Sequence, residues 1–422
     1  MKFPFDAAIF DLDGTLLDSL NVWKNIDAEF FAARGMEVPA DYGKALGGMS
    51  YRESAEYTVA RFGLKETWQE LVGIWMDMAR RAYAEKVELM PGARETLTRL
   101  KLCGVKLAVA TALPEELYLP CLTHLGVRDF FDALCSTEDT DGCGKTGGGV
   151  FRLAAARLGI AEDRCCVFED MYEGIAGAKA AGMRAVYLSN GRPDPRAAAI
   201  ADETAESLDD LLGDARCLIF TAHCEGDPAE AFDFRPNDFI LCADAGWKTA
   251  RTLGLTCDAV IGDFDSGDAP TEGNVIRHPV EKDDTDTMLC IKYALEAGFR
   301  DLRIVGGLGG RMDHTLANLQ AMAYAARRGA RVQLSDGNTR VFMLHGDSVR
   351  IPRTPDKLAV FAFGGVCEGV SIRGAKYCIE DALLTPDFPL GAGNDFAADF
   401  AEIGVKRGTL CVICGGVPTQ AE

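Results

Sequence analysis

Short apolar runs alternate with stretches of helical spacing along most of this 422-residue chain. In the first half, AAIF (7–10), VKLAVAT (105–111), RCCVF (164–168) and RAVYL (184–188) are mostly apolar at successive positions. That pattern predicts strands buried on both faces, as in a parallel sheet. Between residues 19 and 90 the spacing turns almost purely helical, and Trp68, Leu71, Val72, Trp75, Ala79 and Ala82 form one apolar face. A helical insert after the first strand is therefore predicted, with the sheet resuming after MPG (90–92). GRPDP (191–195) and the acidic ETAESLDDLLGD close this half and place a boundary near Gly213.

A second alternating pattern follows. RCLIF, DFILCA, DAVIG, NVIRH and DLRIVGG read as strands, with helices around 247–253, 284–297 and 313–328. Beyond about residue 339 the helical signals fade. Short strands with Gly and Pro turns, as in TRVFMLHGDSVRIP, KLAVFAF and GTLCVICGG, predict a small β-sandwich or barrel. The predicted architecture is α/β with a helical insert (about 19–90), then α/β, then all-β, in segments 1–213, 214–338 and 339–422. The length suits two or three domains, and no internal repeat is present.

Composition narrows the function classes. The chain is 48% hydrophobic and 26% charged, as a globular protein is. Its 44 Lys and Arg stand against 64 Asp and Glu, a net charge of −20, which argues against nucleic-acid or anionic-membrane partners. No apolar run reaches the roughly 18 residues of a membrane span. MKFPFDAAIF lacks the basic start and long apolar core of a signal peptide, so a cytoplasmic location is expected. The 15 cysteines are odd in number, scattered, and often inside apolar runs, which predicts buried reduced thiols. The lone CxxC, Cys411 to Cys414, falls on a predicted strand and is assigned to the core rather than to a metal.

Two carboxylate clusters carry candidate chemistry. In IFDLDGT (9–15), Asp11 and Asp13 follow a buried strand and Gly14-Thr15 enforces a turn. Residues two apart at a strand end can face the crevice where open sheets bind ligands. One carboxylate can attack phosphorus while the other gives and takes a proton. Thr111 ends a strand and can bind a phosphoryl oxygen, Lys145 can balance charge, and Glu169 and Asp170 offer metal ligands on a further strand. These residues, with FEDMYEGIAGAKAAGM, resemble the haloacid dehalogenase superfamily of phosphatases and phosphomutases over about residues 5–212. The resemblance implies a Rossmann-like core with a helical cap, Asp11 as nucleophile and Asp13 as acid/base. It implies phosphate binding by Thr111 and charge stabilisation by Lys145. Asp11, Asp170 and the Asp13 carbonyl would hold Mg2+, with Glu169 close by. One departure is that TGGG follows Lys145 where relatives of the phosphoglucomutase-like branch carry prolines.

The second cluster is richer. DAVIGDFDSGD (258–268) holds four aspartates, and Asp244 ends another apolar run. EKDDTDTMLC (281–290) places Asp283, Asp284 and Asp286 before or in the first turn of a helix. GGLGGRMDHTLANL then supplies a glycine loop, Arg311, Asp313 and His314. Taken singly, Asp258 and Asp268 read as solvated turn residues, His314 as a capping or core histidine, and Asp313 as an N-cap with Gly329 as the helix stop. Together, ADAG, GDFDS, EKDDTD, GGLGGRMDH with Asn318, and RGAKY resemble the thiamine diphosphokinase family over about residues 215–422.

That resemblance implies transfer of a diphosphoryl group from ATP, the co-substrate, to thiamine. Asp244, Asp263, Asp265 and Asp286 would hold Mg2+ and the phosphates. Ser266, Lys282, Asp283 and Thr285 would line the nucleotide and reaction site, beside Arg311, Asp313 and Asn318. The C-terminal sandwich would cover thiamine in a homodimer, near Asn394, where Gly393 replaces a more usual serine. Either Asp283 or Asp313 takes the alcohol proton. For the fused first half, thiamine monophosphate is one expected phosphate monoester. The alternatives are a sugar-phosphate phosphatase or mutase, and a non-catalytic docking module.

Overall fold

A computed structural model describes residues 3–46, 49, 51–140, 144–264, 270, 273–279 and 283–415. It separates into two compact units, one of Pro4–Lys101 and Val105–Leu211, the other of Leu102–Gly104 and the chain from Leu212 onward.

In the first unit, strands β1 (Ala7–Phe10), β2 (Lys106–Thr111), β3 (Ala133–Ser136), β4 (Cys165–Glu169), β5 (Arg184–Leu188) and β6 (Glu203–Ala205) form a parallel sheet in the order β3-β2-β1-β4-β5-β6. Every residue of β1 and β4 is buried, because helices cover both faces. The sequence missed β3 and β6, the two edges, whose short ALCS and ETA segments carry weak strand signals. Register places Phe10 level with Val109 and with Phe168, so the carboxyl ends of β1, β2 and β4 open into one crevice.

The insert is four helices: α1 (Val22–Ala32), α2 (Tyr42–Leu46), α3 (Tyr51–Phe62) and α4 (Trp68–Glu85). A capping box of Thr67 and Glu70 starts α4. Its buried stripe is Leu71, Trp75, Met78, Ala79 and Tyr83. The expected stripe is thus shifted: Trp68, Val72 and Ala82 are only half-buried. Phe30, Phe31, Tyr42, Phe62 and Trp75 make an edge-to-face aromatic core. Leu17–Asp18 pairs antiparallel with Glu88–Leu89, so the two chain segments entering and leaving the insert brace each other.

The second unit is built on a ten-stranded sheet. Its strands are β7 (Cys217–Phe220), β8 (Phe239–Ala243), β9 (Ala259–Gly262), β10 (Asn274–Arg277), β11 (Asp301–Val305), β12 (Arg331–Ser335) and β13 (Thr339–His345), followed by β15 (Leu358–Ala362), β18 (Gly391–Asn394) and β20 (Thr409–Gly415). They run in the order β10-β9-β8-β7-β11-β12-β13-β20-β15-β18, parallel from β10 to β12 and antiparallel beyond. Strands β14 (Ser348–Pro352), β16 (Cys367–Arg373), β17 (Ile379–Leu384) and β19 (Phe400–Gly404) form a second sheet, β14-β19-β16-β17. The alternative of a barrel is not what forms. Ile351, Leu358, Val360, Val370, Ile403 and Val412 share a core between the two sheets, which is a sandwich. One layer of it continues the α/β sheet without a break at residue 339.

Helices α5 (Gly246–Thr252), α6 (Asp286–Glu296) and α7 (Met312–Ala326) lie within two residues of their expected limits. Gly329, at φ +81°, closes the turn after α7 as expected. The N-cap position of α7 belongs to Arg311, with Asp313 inside the first turn, so Asp313 is not the cap. No described helix is long and apolar enough to cross a membrane.

Candidate functional site

Two sites emerge, one at the carboxyl edge of each parallel sheet. In the first, β1 ends directly into Asp11, and the Asp11 amide donates to Phe168 on β4 at 3.1 Å. The DGT turn closes through the Gly14 amide donating to the Leu17 carbonyl at 2.9 Å. Lys145 donates from Nζ to Asp11 Oδ1 and, at 2.7 Å, to Glu169 Oε1. The Met171 amide donates to the other Glu169 oxygen at 2.7 Å. Asp11, Glu169 and Asp170 bring ligand oxygens within 4.8 Å of one another. Thr111, buried at the end of β2, accepts the Leu113 amide at 3.1 Å. All the first-half residues singled out above are therefore described, and Asp11, Lys145, Glu169 and Asp170 converge.

The TGGG departure has a backbone cause. Gly148 takes φ +73°, where a Cβ would lie 2.6 Å from the Gly177 carbonyl. Proline, locked near −65°, cannot occupy it, yet Lys145 still reaches Asp11.

Burial pushes Asp170 up to about 7, with the Asp11 and Glu169 charges adding to the shift. Burial also raises Glu169, and Asp11 adds to this while Lys145 opposes it. Asp13 is raised too, mainly by burial, against hydrogen bonds from Ser19 and Tyr83. Lys145 is raised despite its burial by the carboxylates of Asp11 and Glu169. Buried acids that resist ionisation together describe a site short of positive charge. Asp170 Oδ1 is buried without a hydrogen-bond partner. The donor set fits a hard, oxygen-seeking divalent cation.

Sequence reading missed Tyr83. Its hydroxyl donates to Asp13 Oδ1 at 2.8 Å from 70 positions away. Its signal in the sequence was helical spacing, four residues after Ala79, although the predicted face did not include it.

The second site is a cavity of about 660 Å3 at the switch point between β7 and β11, where the strand order reverses. Thr221, Asp244, Asp263 and Gly307 enter it from the carboxyl ends of β7, β8, β9 and β11. Thr285, Asp286, Arg311 and Asn318 line it from the starts of α6 and α7. Asp244 stands at φ +45°, a strained backbone for a residue with a Cβ, held by its amide donating to Ile261 at 2.8 Å. Thr285 caps α6 by accepting the Met288 amide at 3.2 Å. Asn318 donates to the Gly307 carbonyl at 2.9 Å and so fixes the glycine loop.

Several expected positions fall elsewhere. Asp284, not Asp283, lines the cavity, and Lys292 donates to both its oxygens at 2.6 and 2.8 Å. Asp313 is exposed and ion-paired with Arg311 at 2.6 Å, which holds its carboxyl below the usual range. His314 is neither core nor cap, but exposed and part of the lining. Asp258 is not a solvated turn residue: the Ile240 amide donates to it at 2.8 Å. Asn394 is buried and braces the backbone of Tyr377, its amide accepting at 2.9 Å and donating at 2.8 Å. Asp265, Ser266, Asp268 and Lys282 lie outside the described residues. Among those described, only Asp11, Glu169 and Asp170 gather as three ligands. Asp244, Asp263, Asp284 and Asp286 nevertheless make the cavity acidic, so a polyphosphate entering it needs cations as well as Arg311.

The described cysteines are all free, as expected, and most are buried, Cys411 and Cys414 among them; Cys378 is exposed and Cys103, Cys224 and Cys257 are half-buried, against the expectation of burial.

Residues 8–188 match a family model described as haloacid dehalogenase-like hydrolase, and residues 234–334 one described as thiamin pyrophosphokinase, catalytic domain. The chain is 30% identical over 218 residues to hexitol phosphatase B of Escherichia coli strain K12, covering 49% of this chain and 93% of that protein. It is 26% identical over 212 residues to the phosphorylated carbohydrates phosphatase of Thermotoga maritima, covering 49% and 98%. A solved structure of a thiamin pyrophosphokinase family protein from Enterococcus faecalis aligns with 47% of this chain and 98% of its own, at 28% identity and a TM-score of 0.41.

Proposed function

The chain belongs to the haloacid dehalogenase-like hydrolases through its first half and carries a thiamin pyrophosphokinase catalytic domain in its second, and from that premise we propose a bifunctional, cytoplasmic enzyme of phosphate transfer. Its functional divisions are 1–213, 214–338 and 339–422.

The first half hydrolyses a phosphate monoester. An Asp11 oxygen attacks phosphorus as the bond to the leaving oxygen breaks, and Asp13 gives that oxygen its proton. Asp13 then takes a proton from water, whose oxygen attacks the phosphoaspartate and frees Asp11 and inorganic phosphate. Lys145 balances charge on the phosphoryl group and Thr111 donates its hydroxyl to it. Asp11, Asp170 and the Asp13 carbonyl, with Glu169 close by, would hold Mg2+, which would neutralise the crowded anions. The observation that carries this reading is Lys145 bridging Asp11 and Glu169 beside the unpartnered Asp170 oxygen. A decayed docking module has no reason to retain that assembly. The substrate we propose is thiamine monophosphate, whose dephosphorylation would feed the second half. The names of the relatives, hexitol and phosphorylated-carbohydrate phosphatases, favour a sugar phosphate as the second reading.

The second half moves the terminal diphosphoryl group of ATP onto the hydroxyethyl oxygen of thiamine, releasing AMP. Position and charge do most of the work in such transfers. Asp244, Asp263, Asp265 and Asp286 would hold Mg2+ against the phosphates, and Arg311 would clamp them. Ser266, Lys282 and Thr285 would line the site with Asn318, and Asn394 would support the thiamine side. Asp283 or Asp313 would take the alcohol proton. The acidic switch-point cavity supports this placement.

One experiment tests both halves on the full chain. AMP release should require added thiamine and vanish in Asp244→Asn, while p-nitrophenyl phosphate hydrolysis should vanish in Asp11→Asn alone. Thiamine monophosphate should rank among the best of a panel of sugar phosphates and nucleotides. Its appearance among the poorest would remove the pathway coupling, and thiamine-independent AMP release would remove the kinase.

We also propose a homodimer through the sandwich. Tyr377, Leu383, Phe388 and Leu390 are exposed around β17 and β18, each of which, among the described residues, ends its sheet with one neighbour. Uncovered apolar edges invite another chain, and a second copy supplies a matching edge.

A further inference from the structure

We propose that Tyr83 is a positioning residue that aligns Asp13 for proton transfer. The inference rests on the phosphatase reading of the first half.

Tyr83 lies in the last turns of α4, and its ring is 1% exposed within the stripe that packs the insert together. Its hydroxyl is the donor to Asp13 Oδ1 at 2.8 Å. A carboxyl group has two oxygens, and an acid must carry its proton on the one that faces the leaving group. With a phenol hydrogen already pointing at Oδ1, a proton on Oδ1 would set two hydrogens against each other. The proton is therefore directed to Oδ2, and Oδ2 is the oxygen that delivers it. On the return half of the cycle the same bond fixes the carboxylate, so that Oδ2 accepts the proton of the attacking water. No oxidant or added reactant enters: one proton leaves Oδ2 for the leaving oxygen, and one returns from water.

The donor rides on the insert and the acceptor on the DGT loop of the core. Tyr83 sits five residues before the Glu88–Leu89 segment that pairs with Leu17–Asp18, the point where insert and core join. Ser19, on the same joining segment, is buried, and its hydroxyl donates to the Leu17 carbonyl at 3.5 Å.

The test is Tyr83→Phe in the full chain, which removes one hydroxyl and keeps the packed ring. Leaving-group release is followed in single turnovers on two substrates. One is p-nitrophenyl phosphate, whose leaving anion is stable unprotonated. The other is the alkyl monophosphate that wild type hydrolyses fastest, whose alkoxide must be protonated. We expect the alkyl rate to fall about tenfold or more, the nitrophenyl rate to stay within about threefold, and KM for both within about twofold. The ratio of the two rates does not depend on the fraction of variant that folds. Equal falls on both substrates, or no change on either, would overturn the inference. Asp11→Asn, run alongside, separates the two failures. If it still hydrolyses nitrophenyl phosphate, the phosphatase reading is wrong; if it is inactive and the Tyr83→Phe ratio is unchanged, only the role of Tyr83 is lost.

Discussion

Gly174, in the helix Tyr172–Ala180 that follows β4, presents no side chain where Glu169 passes. A Cβ there would lie 2.0 Å from Glu169 Oε1. Glu169 is 0% exposed and has no room to retreat. Gly174→Ala should therefore push Glu169 off Lys145 and cut p-nitrophenyl phosphate turnover about 100-fold, the scale on which small displacements of an active-site group act. Thiamine-dependent AMP formation should be unchanged in the same variant, and a parallel loss of both activities would point to global unfolding instead. The carboxylates themselves are legible in the sequence as aspartates and a glutamate at strand ends. Which oxygens of Asp11, Glu169 and Asp170 face one another is not, because that depends on register between strands more than 150 positions apart.

The helical insert shows what an element adds to its residues. Asp27, on α1, is pushed up to about 6 by burial alone, from 3.8. A raised acid is favoured neutral in the folded state, so its ionisation costs stability. That cost is absent below about 4, grows between 4 and 6, and is complete above 6. Asp27→Asn should accordingly stabilise the protein by about 1 kcal/mol at pH 7.5, after allowance for the solvent that still reaches the group. Melting curves at pH 7.5 and pH 4 check it: the gain should disappear at the lower pH, and an equal gain at both would show that ionisation is not the cause. The helical character of the insert is readable from its spacing, whereas the start of α4 at its Thr67 cap comes from the structure. The exact stripe is not readable either, since Met78 and Tyr83 replace Trp68, Val72 and Ala82 on the buried side. Spacing defines a face, but the partner surface decides how far round the helix that face extends.

At the scale of the whole molecule, the paired activities and the self-association proposed for the sandwich are separable. Phe388, 65% exposed beside an open sheet edge, is the place to probe the latter. Phe388→Asp should raise the dimer dissociation constant about tenfold or more by sedimentation, as loss of an apolar interface anchor does. A wild-type chain that sediments as a monomer at micromolar concentration would end the dimer proposal. The whole-molecule organisation is partly legible. The α/β class, the helical insert and the change to short strands after residue 339 all follow from period and turn residues. The continuity of one sheet across that change does not, because β13 and β20 pair with neighbours that no local pattern names.

The sequence by itself determined the kinds of chemistry open to this protein. Its apolar periods set where strands end, and aspartates placed at those ends define two acidic crevices suited to phosphate and divalent ions. Only the tertiary structure decided which of those groups meet. It gathered Asp11, Lys145, Glu169 and Asp170, brought Asp284 into the lining of the second cavity, and delivered Tyr83 to Asp13 across 70 positions. The reason is physical: local pattern is set by backbone period and solvent exposure, whereas contacts between side chains depend on strand register and helix rotation, which only the packed core fixes.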